Sequence, residues 1–493
     1  MITPEGPPLA RATALVDVIE ALPRELRARG HEIGIVLPYY REVAQLCPPG
    51  FVSSAPEKNF ESCVDTGVTV DVAVGAKIHV AEFLTSRTAG GVQLFFVRCD
   101  EFFDRAGIYG EHGEPYEDNA ARFIFFSKAA VELARRLTPS PQVLHLHDWA
   151  AALVPVWVRE GQLPFRTVLT IHHLAEQGSF WGLDFSLTNL AERYFTPRGI
   201  EFFGRMNFLK GGIVMADRIT TVSERFRREM LTAEGGCGLE IVLRENAARL
   251  SGILNGADYE RWDPAKDSLL PASFDAEHLA GKLVCRDLLL DLLGLAPASN
   301  VTSVFGMVTR LVPEKGFDVL MPVLDRLLSD DVRLIILGKG DPAYETALAV
   351  AAKKYPAKFA YRQDYDETLA HLIEAGADIT LIPSRIEPSG LSAMYSLRYG
   401  ALPVARATGG IQEIIEDYDP GSDNGYGFLY YDASAEAFWD AIKRARDIFH
   451  NDPYSWRRLV ERAMAQDFSW ATAAREYEQL YASLTTATMA SAA

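Results

Sequence analysis

Short, continuously apolar runs alternate with amphipathic stretches along nearly the whole chain. In the first half, Ile33–Leu37, Leu94–Val97, Val143–His147, Thr167–His172, Arg218–Val222 and Gly252–Leu254 read as strands. In the second half, Ser303–Val308, Val332–Leu337, Ile379–Pro383 and Leu402–Ala405 do so. Several are continuously apolar and rich in Val, Ile and Leu, the pattern of strands covered on both faces. Between them, Val16–Arg29, Asp118–Arg136 and Ser434–His450 space their apolar residues for amphipathic helices. This alternation predicts an α/β fold of parallel, doubly wound sheets. The polar, turn-rich segment Asn255–Asp267 separates two such blocks. The expected organisation is a first domain over 1–257, a second over 258–465, a helix over 466–484 that returns to the first, and a frayed tail over 485–493. Ligands of open α/β sheets bind at the carboxyl ends of the strands, and two such domains are expected to present those ends across a cleft.

Composition narrows the partners. The chain has 493 residues, with 49 Lys and Arg against 66 Asp and Glu and a net charge of −17. That balance argues against a dedicated nucleic-acid or anionic-membrane binder, while leaving room for a local basic site that holds phosphate. Cys47, Cys63, Cys99, Cys237 and Cys285 are scattered and lack CxxC spacing. No disulfide framework and no zinc site are expected, and a reducing compartment fits. No apolar run approaches the roughly 18 residues needed to span a bilayer, and the first residues carry no signal-peptide pattern. A cytoplasmic location is expected.

Candidate chemistry gathers after the predicted strands. RLVPEKG (Arg310–Gly316) puts a guanidinium and an ammonium on one loop, suited to a diphosphate leaving group; two ordinary surface cations would look the same. SRIEPSGLSAMYSLRYG (Ser384–Gly400) carries Glu387 ahead of a helix opened by Gly390 and Leu391. That carboxylate could accept sugar hydroxyls or simply complement the helix dipole. In ATGGIQEII (Ala407–Ile415), Thr408, Gly409 and Gly410 would let backbone N–H groups approach a phosphate, although a plain strand–helix turn has the same look. HLHDWAA (His145–Ala151) and TIHHLAEQGSF (Thr170–Phe180) put polar residues at strand ends. Their histidines lack the carboxylate partners and spacing of a metal site, so no metal is expected. Asp364-Tyr365-Asp366 reads as a solvated acidic pair. No early GxGxxG, no GxxxxGK[ST] and no GxSxG is present, which disfavours dinucleotide, P-loop and nucleophile-elbow enzymes.

Together with IYGEHGEPYEDNAARF, NFLKGGIVMADRITTVS, GILNGADYERWDP and GMVTRLVPEKGFDVL, these segments closely resemble the bacterial glycogen synthases and plant starch synthases. The resemblance runs from about Leu15 to about Tyr481. It implies a GT-B architecture of two facing Rossmann-like domains, glucan acceptor in the first and nucleotide sugar in the second. The activity implied is transfer of glucose, with retention, from ADP-glucose to an α-1,4-glucan, with ADP-glucose as co-substrate and no further cofactor. Arg310 and Lys315 would hold the distal phosphate, Glu387 the transferred glucose, and Gly409–Gly410 the pyrophosphate. Asp148 and His172 would line the glucose site, with Asn255 nearby; Tyr365 would stack on adenine, and Asp17 would touch nucleotide or sugar. Closure by a hinge at the Asn255–Asp267 crossover is expected.

The sequence also departs from the family. The usual opening strand looks almost absent, for which an upstream start of the reading frame is the expected explanation. The donor loop, KTGGL or KVGGL in the family, reads Arg11-Ala12-Thr13-Ala14-Leu15: Arg11 keeps the charge, but both glycines are lost. Ala150, His173, Glu176 and Ser389 replace the family's His, Asn, Tyr and Cys. Two other readings stay open: a GT-B transferase with another donor or a small acceptor, and a non-catalytic glucan- or nucleotide-binding homologue.

Overall fold

The computed structural model describes residues 1–7, 15–48, 61–111 and 113–491. They divide into two units, Met1–Leu254 with Trp470–Ala493, and Asn255–Ser469. Unit 1 contains β1 (Gly34–Pro38), β2 (Val64–Val74), β3 (Lys77–Arg87), β4 (Gln93–Arg98), a small hairpin of β5 (Gly110–Glu111) and β6 (Glu114–Pro115), β7 (Val143–His147) and β8 (Arg166–Ile171). It continues with β9 (Ser179–Trp181), β10 (Glu201–Phe202), β11 (Arg205–Asn207), β12 (Arg218–Thr221) and β13 (Leu250–Gly252).

The opening strand is short but not missing. Ile2 bridges Val36 of β1 and Leu146 of β7, both in parallel. Its N–H donates to His145 O at 2.8 Å, and His147 N donates back to Ile2 O at 3.1 Å. Val36 N donates to Met1 O and Thr3 N to Val36 O, at 2.8 and 3.0 Å. Three residues thus fill the middle of one sheet, ordered β2-β3-β4-β1-(Met1–Thr3)-β7-β8-β12-β13. Their ladder bonds run to both neighbours, so a stub keeps the central backbone groups paired.

Three further expectations need correction. The sheet is not wholly parallel, because β3 pairs antiparallel with β2 and β4. In β2 only Val70, Val72 and Val74 are buried, so the hairpin offers the weak alternating signal of a half-exposed edge and not an apolar run. The last helix runs from Trp470 to Ser491, so 485–491 are helical and not a frayed tail; the stretch has no Gly or Pro to stop it. Finally, Cys47 and Cys63 form a disulfide, with Cα atoms 5.5 Å apart. Folding brings the end of helix Arg41–Leu46 against the residue before β2, which a spacing of 16 residues does not announce.

The helix Leu15–Ala28 packs Val18, Ala21, Leu22 and Leu26 onto Trp470, Ala473, Ala474 and Tyr477. Glu478 adds an ion pair to Arg29 at 3.3 Å and a hydrogen bond with His31 Nε2 at 2.8 Å. This packing ties the final helix to unit 1.

Unit 2 contains β14 (Ser303–Val308), β15 (Val332–Leu337), β16 (Phe359–Arg362), β17 (Ile379–Ile382), β18 (Leu402–Arg406) and β19 (Phe428–Tyr430). All pair in parallel, in the order β16-β15-β14-β17-β18-β19. This is a doubly wound sheet whose strand order reverses between β14 and β17. The crevice at that switch point is where such sheets hold ligands. Every residue of β15 is buried, as expected of a strand covered on both faces. Among the described residues no helix is long and apolar enough to cross a membrane.

Candidate active site

At the switch point of unit 2, the loops after β14, β17 and β18 interlock. Gly316 has φ +75°, and a Cβ there would lie 2.0 Å from Pro383 O. Gly409 has φ +48° and would place a Cβ 2.1 Å from Glu387 O; Gly410 would place one 2.2 Å from Ser389 O. Arg385 N and Ile386 N donate to Glu314 O at 2.8 and 3.2 Å, fastening the second loop to the first. The glycines therefore buy backbone-on-backbone contact, which holds Glu387 in one place.

Glu387 is buried. Its Oε2 accepts from Lys315 Nζ at 2.6 Å and from Ser384 Oγ at 2.9 Å. Its Oε1 has no hydrogen bond among the described residues, and Lys315 has donors to spare. Arg310 is exposed and its guanidinium forms no ion pair among the described residues. The cluster thus offers a fixed acceptor and a fixed ammonium, with an exposed guanidinium on the same loop as the ammonium, the equipment for a sugar hydroxyl beside a phosphate. Ser384 was not among the expected site residues. A lone serine gives no motif, and only its place directly after a strand hinted at a role.

The remaining unit 2 candidates are more dispersed. Gly410 N–H does not await a phosphate, because it donates to Glu387 O and Pro388 O at 3.1 and 3.0 Å. The glycine pair serves the packing of the Glu387 loop, which corrects the phosphate-cradle expectation for that amide. Thr408 is buried, and its N–H donates to Arg406 O at 2.9 Å. Gly390, at φ +74°, precedes the helix Leu391–Arg398. Tyr365 is exposed on the loop after β16. The acidic pair beside it is not simply solvated: Asp364 pairs with Lys339 at 2.8 Å, and Asp366 caps the helix Glu367–Gly376 through Leu369 N at 3.0 Å. Asn255 is buried, and its Oδ1 lacks a partner among the described residues.

In unit 1, Asp148 and His172 follow β7 and β8. Asp148 adopts φ +55°, a strained value for a residue with a side chain. Its Oδ1 accepts from His172 N at 2.7 Å and His173 N at 3.2 Å, while Oδ2 lies 3.6 Å from His173 Nδ1. Asp148 therefore clamps the β8 loop. Burial alone would raise its carboxyl, but His172, His173 and the backbone bond hold it below the ordinary range. Behind it, His147 Nδ1 lies 3.1 Å from His172 Nε2. His145 bonds Tyr481 OH at 2.7 Å and Thr170 Oγ1 at 2.6 Å. Burial pulls His172 down to about 4, against the opposing pull of Asp148. Burial likewise carries His145 and His147 well below the usual histidine value. These are neutral, buried rings. Among the described residues no three His, Cys, Asp or Glu side chains are grouped to hold a metal ion. Asp17 lies half-buried in the first turn of helix Leu15–Ala28. Arg11, with Ala12, Thr13 and Ala14, lies outside the described residues.

Comparison with known proteins identifies the family and the fold. The starch synthase catalytic domain matches residues 1–245, and the group 1 glycosyl transferases match residues 298–453. The chain is 40% identical over 480 residues to glycogen synthase of Koribacter versatilis, covering 96% of this chain and 95% of the relative. It is 41% identical over 493 residues to glycogen synthase of Anaeromyxobacter dehalogenans strain 2CP-C, covering 98% of each. Among solved structures, the catalytic domain of Arabidopsis thaliana starch synthase IV, bound to ADP and acarbose, superposes with a TM-score of 0.88 at 30% identity over 98% of each chain. Sucrose-phosphate synthase from Thermosynechococcus elongatus shares the fold alone, with a TM-score of 0.59 at 15% identity over 97% of this chain and 94% of that one. With a doubly wound GT-B fold and close relatives along its whole length, the chain belongs to the glycogen and starch synthase family and is a glycosyltransferase of that kind.

Proposed function

We propose that the protein moves glucose from ADP-glucose to the non-reducing end of an α-1,4-glucan, with retention at the anomeric carbon. The observation that carries this reading is the Lys315–Glu387–Ser384 cluster at the β14/β17 switch point, with Arg310 exposed on the same loop as Lys315. The free oxygen of Glu387 would accept hydroxyls of the transferred glucose. Lys315 and Arg310 would take the growing charge on the departing diphosphate; each such preorganised donor is worth about 10²–10³ in turnover. The acceptor hydroxyl would attack from the face that ADP leaves, so no protein nucleophile is needed, and ADP-glucose serves as co-substrate without a further cofactor. Adenine specificity is supported by the ADP held in the Arabidopsis relative, with Tyr365 offering a ring to the base. Arg11, Asp17 and Asn255 would complete the contacts to donor and sugar, and Asp148 would set the His172 loop on the acceptor side. A cytoplasmic enzyme acting on soluble glucan fits this chemistry.

Lys315→Ala is expected to lower turnover by roughly two to three orders of magnitude with an unchanged thermal unfolding midpoint. Near-wild-type turnover in that variant would remove the assignment.

A further inference from the structure

The strands of unit 2 run in parallel, so the loops at their carboxyl ends share one edge of the sheet. Along that edge β17, β14, β15 and β16 are consecutive neighbours. Glu387 follows β17, Arg310 and Lys315 follow β14, and Tyr365 follows β16. The loop after β15, Gly338–Gly340, lies between the diphosphate and base positions proposed above. At about 4.8 Å per strand, the four loops span about 14 Å. A nucleotide sugar laid along them presents its parts in a fixed covalent order: glucose, diphosphate, ribose, base. The ribose then falls to the loop after β15.

Lys339 is the middle residue of that loop, and its Nζ lies 2.8 Å from Oδ1 of Asp364, the residue before Tyr365. The backbone beneath this pair is pinned from both sides. Leu311 N donates to Lys339 O at 2.9 Å, and Asp341 N to Leu311 O at 2.7 Å. A Cβ on Gly338 would lie 1.8 Å from Thr309 O, so the loops after β14 and β15 touch backbone to backbone. Glu345 joins the next loop, accepting from Gly340 N at 3.0 Å and from Gln363 Nε2 at 2.9 Å. The two charged side chains, by contrast, stand in water, Lys339 65% and Asp364 71% exposed. Asp364 Oδ2 has no hydrogen bond among the described residues. An ion pair this exposed adds little to stability. Asp364 nevertheless sits at φ +70°, a region that strains a side chain even though Asp tolerates it better than most. A strained carboxylate on a pinned backbone, with one oxygen unspent, is arranged for a ligand more than for the fold.

We propose that Asp364, positioned by Lys339, reads the ribose hydroxyls of the nucleotide donor. A carboxylate only accepts, and a vicinal diol offers it two O–H donors, so the match is one of hydrogen-bond type as well as of place. Lys339 keeps the carboxylate charged and fixes its direction, and the ammonium has two donors left for the neighbouring phosphate. The loops after β17, β14, β15 and β16 then hold glucose, diphosphate, ribose and base in turn. The inference rests on the ADP-glucose reading above and deepens it by naming the residues that tell a ribonucleotide from a deoxynucleotide.

The test is calorimetric titration of the full chain with ADP and with 2′,3′-dideoxy-ADP, beside steady-state transfer from ADP-glucose, for wild type, Asp364→Gly, Asp364→Asn and Lys339→Met. Wild type is expected to bind dideoxy-ADP about tenfold or more weakly than ADP. Asp364→Gly should weaken ADP about tenfold, leave dideoxy-ADP unchanged, and raise the KM for ADP-glucose more than it lowers kcat. Asp364→Asn, whose carbonyl still accepts, should fall between, and Lys339→Met should lose about threefold of the discrimination. Both Asp364 variants should keep or raise the thermal midpoint, because Gly and Asn take a positive φ more readily. Wild type that binds ADP and its dideoxy analogue alike, or Asp364→Gly that discriminates as wild type does, overturns the ribose contact alone. Equal weakening of both nucleotides in Asp364→Gly, or a lowered midpoint in both Asp364 variants, gives the carboxylate to the base or to the fold and overturns it too. A folded wild type that binds no ADP and transfers nothing from ADP-glucose defeats the contact and the donor reading together.

Discussion

Glu387 shows how a single side chain acquires its role from its neighbours. Its Oε2 is held by Lys315 and Ser384, which leaves the other oxygen to a ligand. Replacing Ser384 by Ala removes one of two fixed donors. At about 1 kcal/mol for such a bond, kcat/KM for the donor is expected to fall five- to tenfold with little change in thermal midpoint. Steady-state kinetics beside calorimetry checks this, and an unchanged kcat/KM would deny Ser384 its part. Glu387 and Lys315 were legible in the sequence because a family motif marks them. Ser384 was not, because a hydroxyl gains meaning only from the atom it faces. Gly409 and Gly410 were legible as needed glycines, but the reason lay in the carbonyls of Glu387 and Ser389 pressed against them, which no one-dimensional pattern records.

At the scale of elements, the strands read best were those covered on both faces, such as Val332–Leu337, where burial leaves a run that is apolar at every position but Arg333. The β2–β3 hairpin escaped because one side faces water, and the opening strand because three residues make no pattern. The loops between elements carry the function, and their fit is steric. Gly316→Ala would combine an unfavourable φ with a Cβ 2.0 Å from Pro383 O. A loss of about 2 kcal/mol or more is expected, with activity falling as Lys315 and Glu387 separate. Gly294→Ala is the internal control, because its φ is +67° yet nothing lies within 4 Å of the added Cβ. It should cost only the backbone term, about 1 kcal/mol. Equal losses in the two variants, measured by denaturant unfolding, would contradict the interlock.

Over the whole molecule, the two units differ in how they answer to acid. Unit 1 buries His145, His147 and His172 as neutral rings, with His172 held at about 4 against an ordinary 6.5. The unfolded chain takes up these protons first as pH falls. Stability is therefore complete above about 6.5 and is lost progressively toward pH 4, at up to about 1.4 kcal/mol per pH unit for each ring that stays neutral. The protection factors of β7 and β8 amides, that is, their exchange relative to the unprotected rate at each pH, should fall between pH 7 and 5, before those of β15 and β17. Uniform protection across both units would contradict it. The division into two α/β blocks was visible in the alternation of runs, whereas the disulfide Cys47–Cys63 was invisible until the chain was folded.

The central claim is the transfer reaction, and it is tested most directly by incorporation of labelled glucose into glycogen by the unaltered chain, with ADP-glucose and UDP-glucose offered in parallel. Transfer from ADP-glucose, preferred over UDP-glucose and yielding α-1,4 linkages, is the predicted result. A folded protein that transfers nothing from ADP-glucose, or that prefers UDP-glucose, would contradict it.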